Sequence, residues 1–337
     1  MFLLLRRRSF VIIEYQLGDN NLKIANMNDA FIILSIALAQ TAFLYILVYP
    51  EFFVNGDNEF YNKAYGLISK LGIIEAYITF QSQGGSGSEP LSFLFMFLSS
   101  KFLSYSQYFY ISNVVFISIF GLVLRRLFCQ WSIAYLILCF SFYVFIASGL
   151  TQRLAIAILF WLYAETVSCS SKKGKGLLQL LSILSHWQMM IVFISKICAA
   201  VLKNVLRLRV SHEHLLLMLL IPVGIYFIFD ELLIKILHKL TGAHVDALLI
   251  LVWPCLLRLL AVRIKIEQIM VYGGLFVTAL FITSGRLNII CFFYSILVMR
   301  GNSKAILYFA LTLTPYFIYK HFDYFSHYYL PGRVFGL

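Results

Sequence analysis

Five residues carry most of the chemistry this sequence can offer. Asp57 stands in NGDNEFYNKAY, a few residues beyond a long apolar run, where a carboxylate can face the mouth of a cavity. Glu89 precedes Pro90 directly after a glycine-serine segment, and an acid at a helix start is favoured by the local dipole. Arg153 opens an apolar stretch in GLTQRLAIA and Arg286 opens another in TSGRLNII. Each guanidinium is a two-pronged donor matched to phosphate oxygens, although a helix-terminal arginine can equally snorkel to an interface. His186 lies inside LLSILSHWQMMIVF, where an ionisable group is costly and is a functional candidate by default. Together they point to acid, base and phosphate chemistry done by side chains at a membrane surface on a lipid-borne substrate.

Other constellations carry less. His212, Glu213 and His214, and His321, Asp323 and His327, contain metal-ligand residue types, but a spacing of two on a helix sends side chains to different faces. No metal or cofactor is expected. The chain holds no nucleotide loop, GxSxG, HExxH or DxD run, which argues against an enzyme using a nucleotide-sugar donor from a soluble domain. Its six cysteines are scattered in or beside apolar runs without CxxC spacing and read as buried thiols.

The elements that must position these residues are helices in a bilayer. Of 337 residues, 61% are hydrophobic and 12% charged, far from the composition of a soluble domain. The apolar runs are long and unalternating, as in Ala30 to Tyr49, which excludes a β-barrel. The expected fold is all-α, a polytopic bundle of about nine or ten transmembrane helices. Lys and Arg total 27 against 15 acids, an excess assigned to cytoplasmic loops facing anionic lipid and not to nucleic acid.

Residues 1–28 read as a cytoplasmic or interfacial extension without a signal peptide, 29–321 as one transmembrane domain and 322–337 as a tail. The first span, Asp29 to Pro50, follows the basic cluster Arg6, Arg7, Arg8 and Lys23 and so starts inside. Residues 51–107 then form an outer loop with two surface helices, Tyr61 to Leu71 and Pro90 to Leu103, each too short to cross. Tyr108 to Leu124, Trp131 to Leu150 and Leu154 to Ser170 are the next spans.

The segment Leu177 to Ile197 has basic residues on both flanks. A break near Ser185, His186 and Trp187, giving two half-length helices that dip in and return, keeps both basic clusters inside. Later spans are expected over His214 to Phe229, Ala247 to Val262, Ile269 to Thr283, Leu287 to Met299 and Ala305 to Tyr319. Arg153 and Arg286 then reach the outer side.

The order Asp57, Tyr61, Tyr65, then GSEPL with Glu89, QRLAIA with Arg153, LSHWQM with His186 and GRLNIICFFY with Arg286 resembles the EpsG-type branch of Wzy-like bacterial polysaccharide polymerases. The likeness runs over roughly Phe31 to Met299 and rests on single residues in apolar context. It implies a GT-C-type glycosyltransferase of the bacterial inner membrane with a periplasmic active site. The substrates would be undecaprenyl-diphosphate-linked oligosaccharide repeat units, joined into O-antigen, capsule or exopolysaccharide with inversion at the anomeric carbon.

In that reading Asp57, or Glu89 in its place, is the catalytic base, Arg153 and Arg286 hold the diphosphate, and His186 binds it or adjusts a neighbour's charge. Membrane lipid, a flippase and a chain-length regulator of the same pathway are the partners it admits. Two other classes share the composition: a lipid-linked oligosaccharide flippase or other transporter, which would usually show related halves that are absent here, and a membrane-bound O-acyltransferase, which would use His186 as base but leave the outer-loop acids idle.

Overall fold

The computed structural model describes residues 27–52, 57–83, 89–128, 132–149, 151–166, 172–206, 244–279 and 284–329, and all regular structure among them is helical. The N-terminal extension up to residue 26 and the expected span His214 to Phe229 lie outside the described residues.

Helix α1 (Met27–Phe52) and helix α5 (Tyr105–Phe128) are long and apolar enough to cross a membrane. They pack antiparallel, as three points along the pair establish. Arg125 Nε donates to Asp29 Oδ2 at 3.1 Å, Gly121 lies under Ile33, and the rings of Tyr45 and Tyr110 meet at 5.1 Å. Gly121 permits this close approach, because a Cβ would stand 3.2 Å from the Ile33 side chain, which would have to give way slightly.

Between these two helices come three short ones: α2 (Asp57–Ile68), α3 (Ile73–Gln83) and α4 (Pro90–Ser100). Two were expected. The third forms because Ala76, Tyr77 and Phe80 recur at helical spacing and bury against Phe93 of α4. Together with the start of α5 the three build their own aromatic core around Tyr61, Tyr65, Phe80, Phe93, Tyr105 and Tyr108.

The stretch Trp131 to Leu150, expected as one span, is instead two helices, α6 (Ile133–Cys139) and α7 (Phe142–Gly149). Ser141 explains the break: its hydroxyl accepts from the Val144 amide at 3.4 Å and caps the new helix, a local bond that competes with continuation. Helix α8 (Gln152–Thr166) follows α7 with a bend of 115°, and the pair is apolar enough to count as one broken span. The described residues therefore contain two helices able to cross a membrane, or three with this pair.

Helix α9 (Lys172–Ser185) stops and α10 (Met189–Leu206) starts around His186, Trp187 and Gln188, where the sequence predicts the break. One carboxylate fixes how the two arms run. Glu165, near the end of α8, accepts from Lys175 Nζ of α9 at 3.0 Å and from Lys196 Nζ of α10 at 2.8 Å. Both arms thus return to the same level, and α9 and α10 form a hairpin with His186 at its tip. Gln179 adds a bond to Glu165 at 3.3 Å.

Helices α11 (His244–Leu259), α12 (Ile266–Ala279) and α13 (Ser284–Val298) are shorter apolar helices in the region where three spans are expected. Helix α12 lies close against the hairpin, since a Cβ on Gly274 would come within 2.0 Å of Ser195 Oγ of α10. Helix α14 (Ser303–Tyr329) runs on into what the sequence reading treats as a tail. A shared core joins α1 and α5 through α14, with Trp161, Phe292, Phe293 and Phe309 fully buried in it.

The hairpin has a direct test. A continuous helix from Lys175 to Lys196 would separate them by about 30 Å. In a chain whose native cysteines are replaced, Lys175→Cys with Lys196→Cys is expected to be bridged by a short bifunctional thiol reagent in native membranes. Absence of the bridge, with both cysteines reactive singly, would restore a straight crossing.

Candidate functional site

Glu89 is the acid at the centre of the site. It ends the connection before α4 with extended backbone, Pro90 takes the first helical position, and its carbonyl accepts from the Phe93 amide at 3.1 Å. Its side chain makes no capping bond. The carboxylate turns inward instead and is 5% exposed. Oε1 meets Nδ1 of His186 in a short hydrogen bond, and Oε2 lies 2.7 Å from Nη1 of Arg153. The second contact is ionic, with no aligned hydrogen bond to Oε2.

The two cationic partners come from different helices. Arg153 stands in the first turn of α8 and is 7% exposed; its Nε donates to the Tyr61 hydroxyl of α2 at 2.6 Å. His186, at the tip of the α9–α10 hairpin, is 4% exposed, and its Nε2 lies 3.0 Å from Oε1 of Gln188. Both ring nitrogens thus face acceptor oxygens. The tip is tied a second time: Ser92 of α4 donates to the Ser185 carbonyl at 2.8 Å, satisfying a backbone acceptor left over where α9 ends.

Arg286, half-buried in the first turn of α13, is near enough for its charge to act on Glu89. Burial pushes the Glu89 carboxyl up. The charge and hydrogen bond of His186, and then the charges of Arg153 and Arg286, outweigh that and hold it below its ordinary value of 4.5.

Three of the five residues singled out from sequence, Glu89, Arg153 and His186, thus meet although they are far apart in the chain, and Arg286 is near enough for its charge to act on them. For the fifth, Asp57, the side chain lies outside the described residues; its backbone opens α2 one turn before Tyr61. The pairing of Glu89 with Arg153 and His186 is new relative to the sequence, where each acid and base stood alone. Tyr61 entered the sequence reading only as part of the family pattern, without a role, and Gln188 and Ser92 were not readable as members, because an amide and a serine in apolar context have no periodicity that distinguishes a site from a core.

Electrostatically the site gathers basic side chains around one acid. Arg153, Arg286 and His186 face one carboxylate, and helices α4, α8, α10 and α13 all begin at or beside it. The amide ends of helices carry partial positive charge, so the placement of arginines there is unfavourable unless an anion offsets it. Glu89 supplies one negative charge; the remaining excess suits phosphate oxygens. Among the described residues no group of three His, Cys, Asp or Glu side chains could hold a metal ion. His321 stands elsewhere, its Nδ1 bonded to the Phe317 carbonyl at 2.7 Å.

No protein-family model, curated protein or solved structure matches this chain.

Glu89 also sets a pH dependence. Its carboxyl titrates lower in the folded protein than in the unfolded chain, so its contribution to stability is complete above about pH 4.5 and is lost as the pH falls through the folded value. Glu89→Gln leaves the buried Arg153 guanidinium without its counter-charge, a loss of about 3–5 kcal/mol at pH 7. Denaturation in mild detergent should show that deficit at pH 7 and show it shrinking below pH 4.5. A deficit independent of pH would mean that packing and not charge is lost.

Proposed function

We propose that this chain is a polysaccharide polymerase of the bacterial inner membrane. It is a glycosyltransferase that joins undecaprenyl-diphosphate-linked repeat units at the periplasmic face, in a bundle of about nine or ten spans. The observation that carries the reading is the gathering of basic side chains around the buried Glu89: Arg153 and His186 in contact with it and the half-buried Arg286 near enough for its charge to act. A diphosphate is the anion such a site suits, and the outer helices α2 and α4 supply two of its walls.

Depth agrees with a lipid-borne donor. From Glu165 to Arg153 along α8 is about 18 Å, and from Lys175 to His186 along α9 about 16 Å. With the Glu165 lysines at the cytoplasmic headgroups, the Glu89 cluster would stand in the outer half of a hydrocarbon core of about 30 Å.

In the reaction, a hydroxyl of the acceptor repeat unit attacks the anomeric carbon of the chain carried on lipid diphosphate. A glycosidic C–O bond forms as the bond from that carbon to the diphosphate oxygen breaks, with one inversion. Arg153 and Arg286 hold the leaving diphosphate and take up the charge that develops on it. The hydroxyl proton goes to a carboxylate. Glu89 suits that role poorly, since its neighbours depress its basicity and a base works best with a pKa near the operating pH. Its work is to hold Arg153 and His186 in place. Asp57, one turn before Tyr61 on α2, is the base in this mechanism.

The test is the length of polymer made in cells that carry only a variant chain. Asp57→Asn keeps shape and loses basicity, and a drop of about 10² to 10⁴ in rate is expected, leaving single repeat units on lipid carrier or core. Arg153→Lys and Arg286→Lys keep charge but not the planar fork, and each should shorten chains strongly. Wild-type lengths in all three well-expressed variants would reject the reading. Loss of exported repeat units altogether would point to a flippase, and full-length chains lacking an ester to an acyltransferase.

A further inference from the structure

We propose that Tyr61 is a positioning residue that fixes the direction of the Arg153 guanidinium. The proposal rests on the reading above only for what that guanidinium holds.

Arg153 is constrained along two edges. Its Nε edge donates to the Tyr61 hydroxyl at 2.6 Å and its Nη1 faces Glu89 at 2.7 Å. The guanidinium carbon also lies 5.2 Å from the Tyr61 ring centroid, a cation–π distance. A planar group held at two edges and against a ring has little freedom to turn.

Tyr61 can impose this because it is itself buried and packed. It is 3% exposed in the aromatic core of the outer helices, where Tyr65 stacks on Tyr108 at 5.5 Å and Tyr65 donates to the Leu103 carbonyl at 3.2 Å. Helices α2 to α4 thereby act on the site from outside it: the packing of their core sets Tyr61, Tyr61 sets Arg153, and Arg153 presents its donors to a diphosphate. A tyrosine that only filled this core would be replaced by phenylalanine without consequence. One whose hydroxyl oxygen accepts from a buried guanidinium would not.

The probe is inorganic pyrophosphate, titrated into the full chain in lipid nanodiscs. Tyr61→Phe keeps the ring and removes the acceptor; pyrophosphate affinity should fall about tenfold, the scale of one hydrogen bond to a charged group. Tyr65→Phe, which removes a neighbouring hydroxyl from the same core, should leave affinity unchanged. Wild-type affinity in folded Tyr61→Phe, or an equal fall in Tyr65→Phe, would overturn the proposal. Should Tyr61→Phe not fold, a fluorinated tyrosine at position 61, whose oxygen is a poorer acceptor, should weaken binding in the same direction, and unchanged binding there would overturn it.

If the wild-type chain does not bind pyrophosphate, the diphosphate reading fails, and Tyr61 is then judged on thermal stability alone. Tyr61→Phe should lower the melting temperature in the wild-type background and leave it unchanged in an Arg153→Met background, where no donor remains. Additive shifts in that cycle would overturn the positioning role independently of any ligand.

Discussion

A single buried carboxylate shared by an arginine and a histidine governs how this end of the bundle is put together. Removing charged groups from water costs several kcal/mol each, and pairing repays that cost only when geometry and hydrogen bonding are nearly complete. Glu89 therefore has to be delivered by α4, Arg153 by α8 and His186 by the hairpin tip to one place. Each of those helices begins or breaks where its charged residue stands, so the helix ends are placed by the cluster as much as the cluster is by the helices. Ser92 on the Ser185 carbonyl and Tyr61 on Arg153 complete the polar contacts that the buried charges demand.

A second carboxylate sets the opposite end. Glu165 binds one lysine from each arm of the hairpin, and α8 spans the distance between the two acids. The hairpin is thereby fixed at its base by Glu165 and at its tip by Glu89. Lys175 before the segment Leu177 to Ile197 and Lys196 near its end are thus brought to one carboxylate. The tip gives the helix break a reason. At the turn His186 can reach Glu89 while Gln188 meets its second ring nitrogen.

The helical character was legible from composition, and the hairpin from the position of lysines relative to a single histidine. The individual site residues Glu89, Arg153, His186 and Arg286 were legible too, because ionisable groups in apolar runs are rare enough to stand out. Their mutual pairing was not, since it depends on contacts such as Glu89 to His186 between helices that periodicity cannot relate. The split of Trp131 to Leu150 was hidden for a different reason. Ser141 is a small polar residue in an apolar run, and whether it caps a new helix or bonds back within an old one is decided by tertiary packing. Helix α3 was hidden beneath its polar end, the glutamines and serine of Gln81 to Gln83 masking an apolar face formed by Ala76, Tyr77 and Phe80.

The central claim is that the Glu89 cluster grips a diphosphate that leaves as a sugar–sugar bond forms. Purified protein in liposomes, supplied with lipid-diphosphate-linked repeat units, tests it by mass spectrometry of the lipid and glycan products together. The account predicts one molecule of free lipid diphosphate released for each repeat unit added, abolished by Asp57→Asn and by Arg153→Met. Repeat units that lengthen without release of lipid diphosphate, or release that persists undiminished in Arg153→Met, would contradict it.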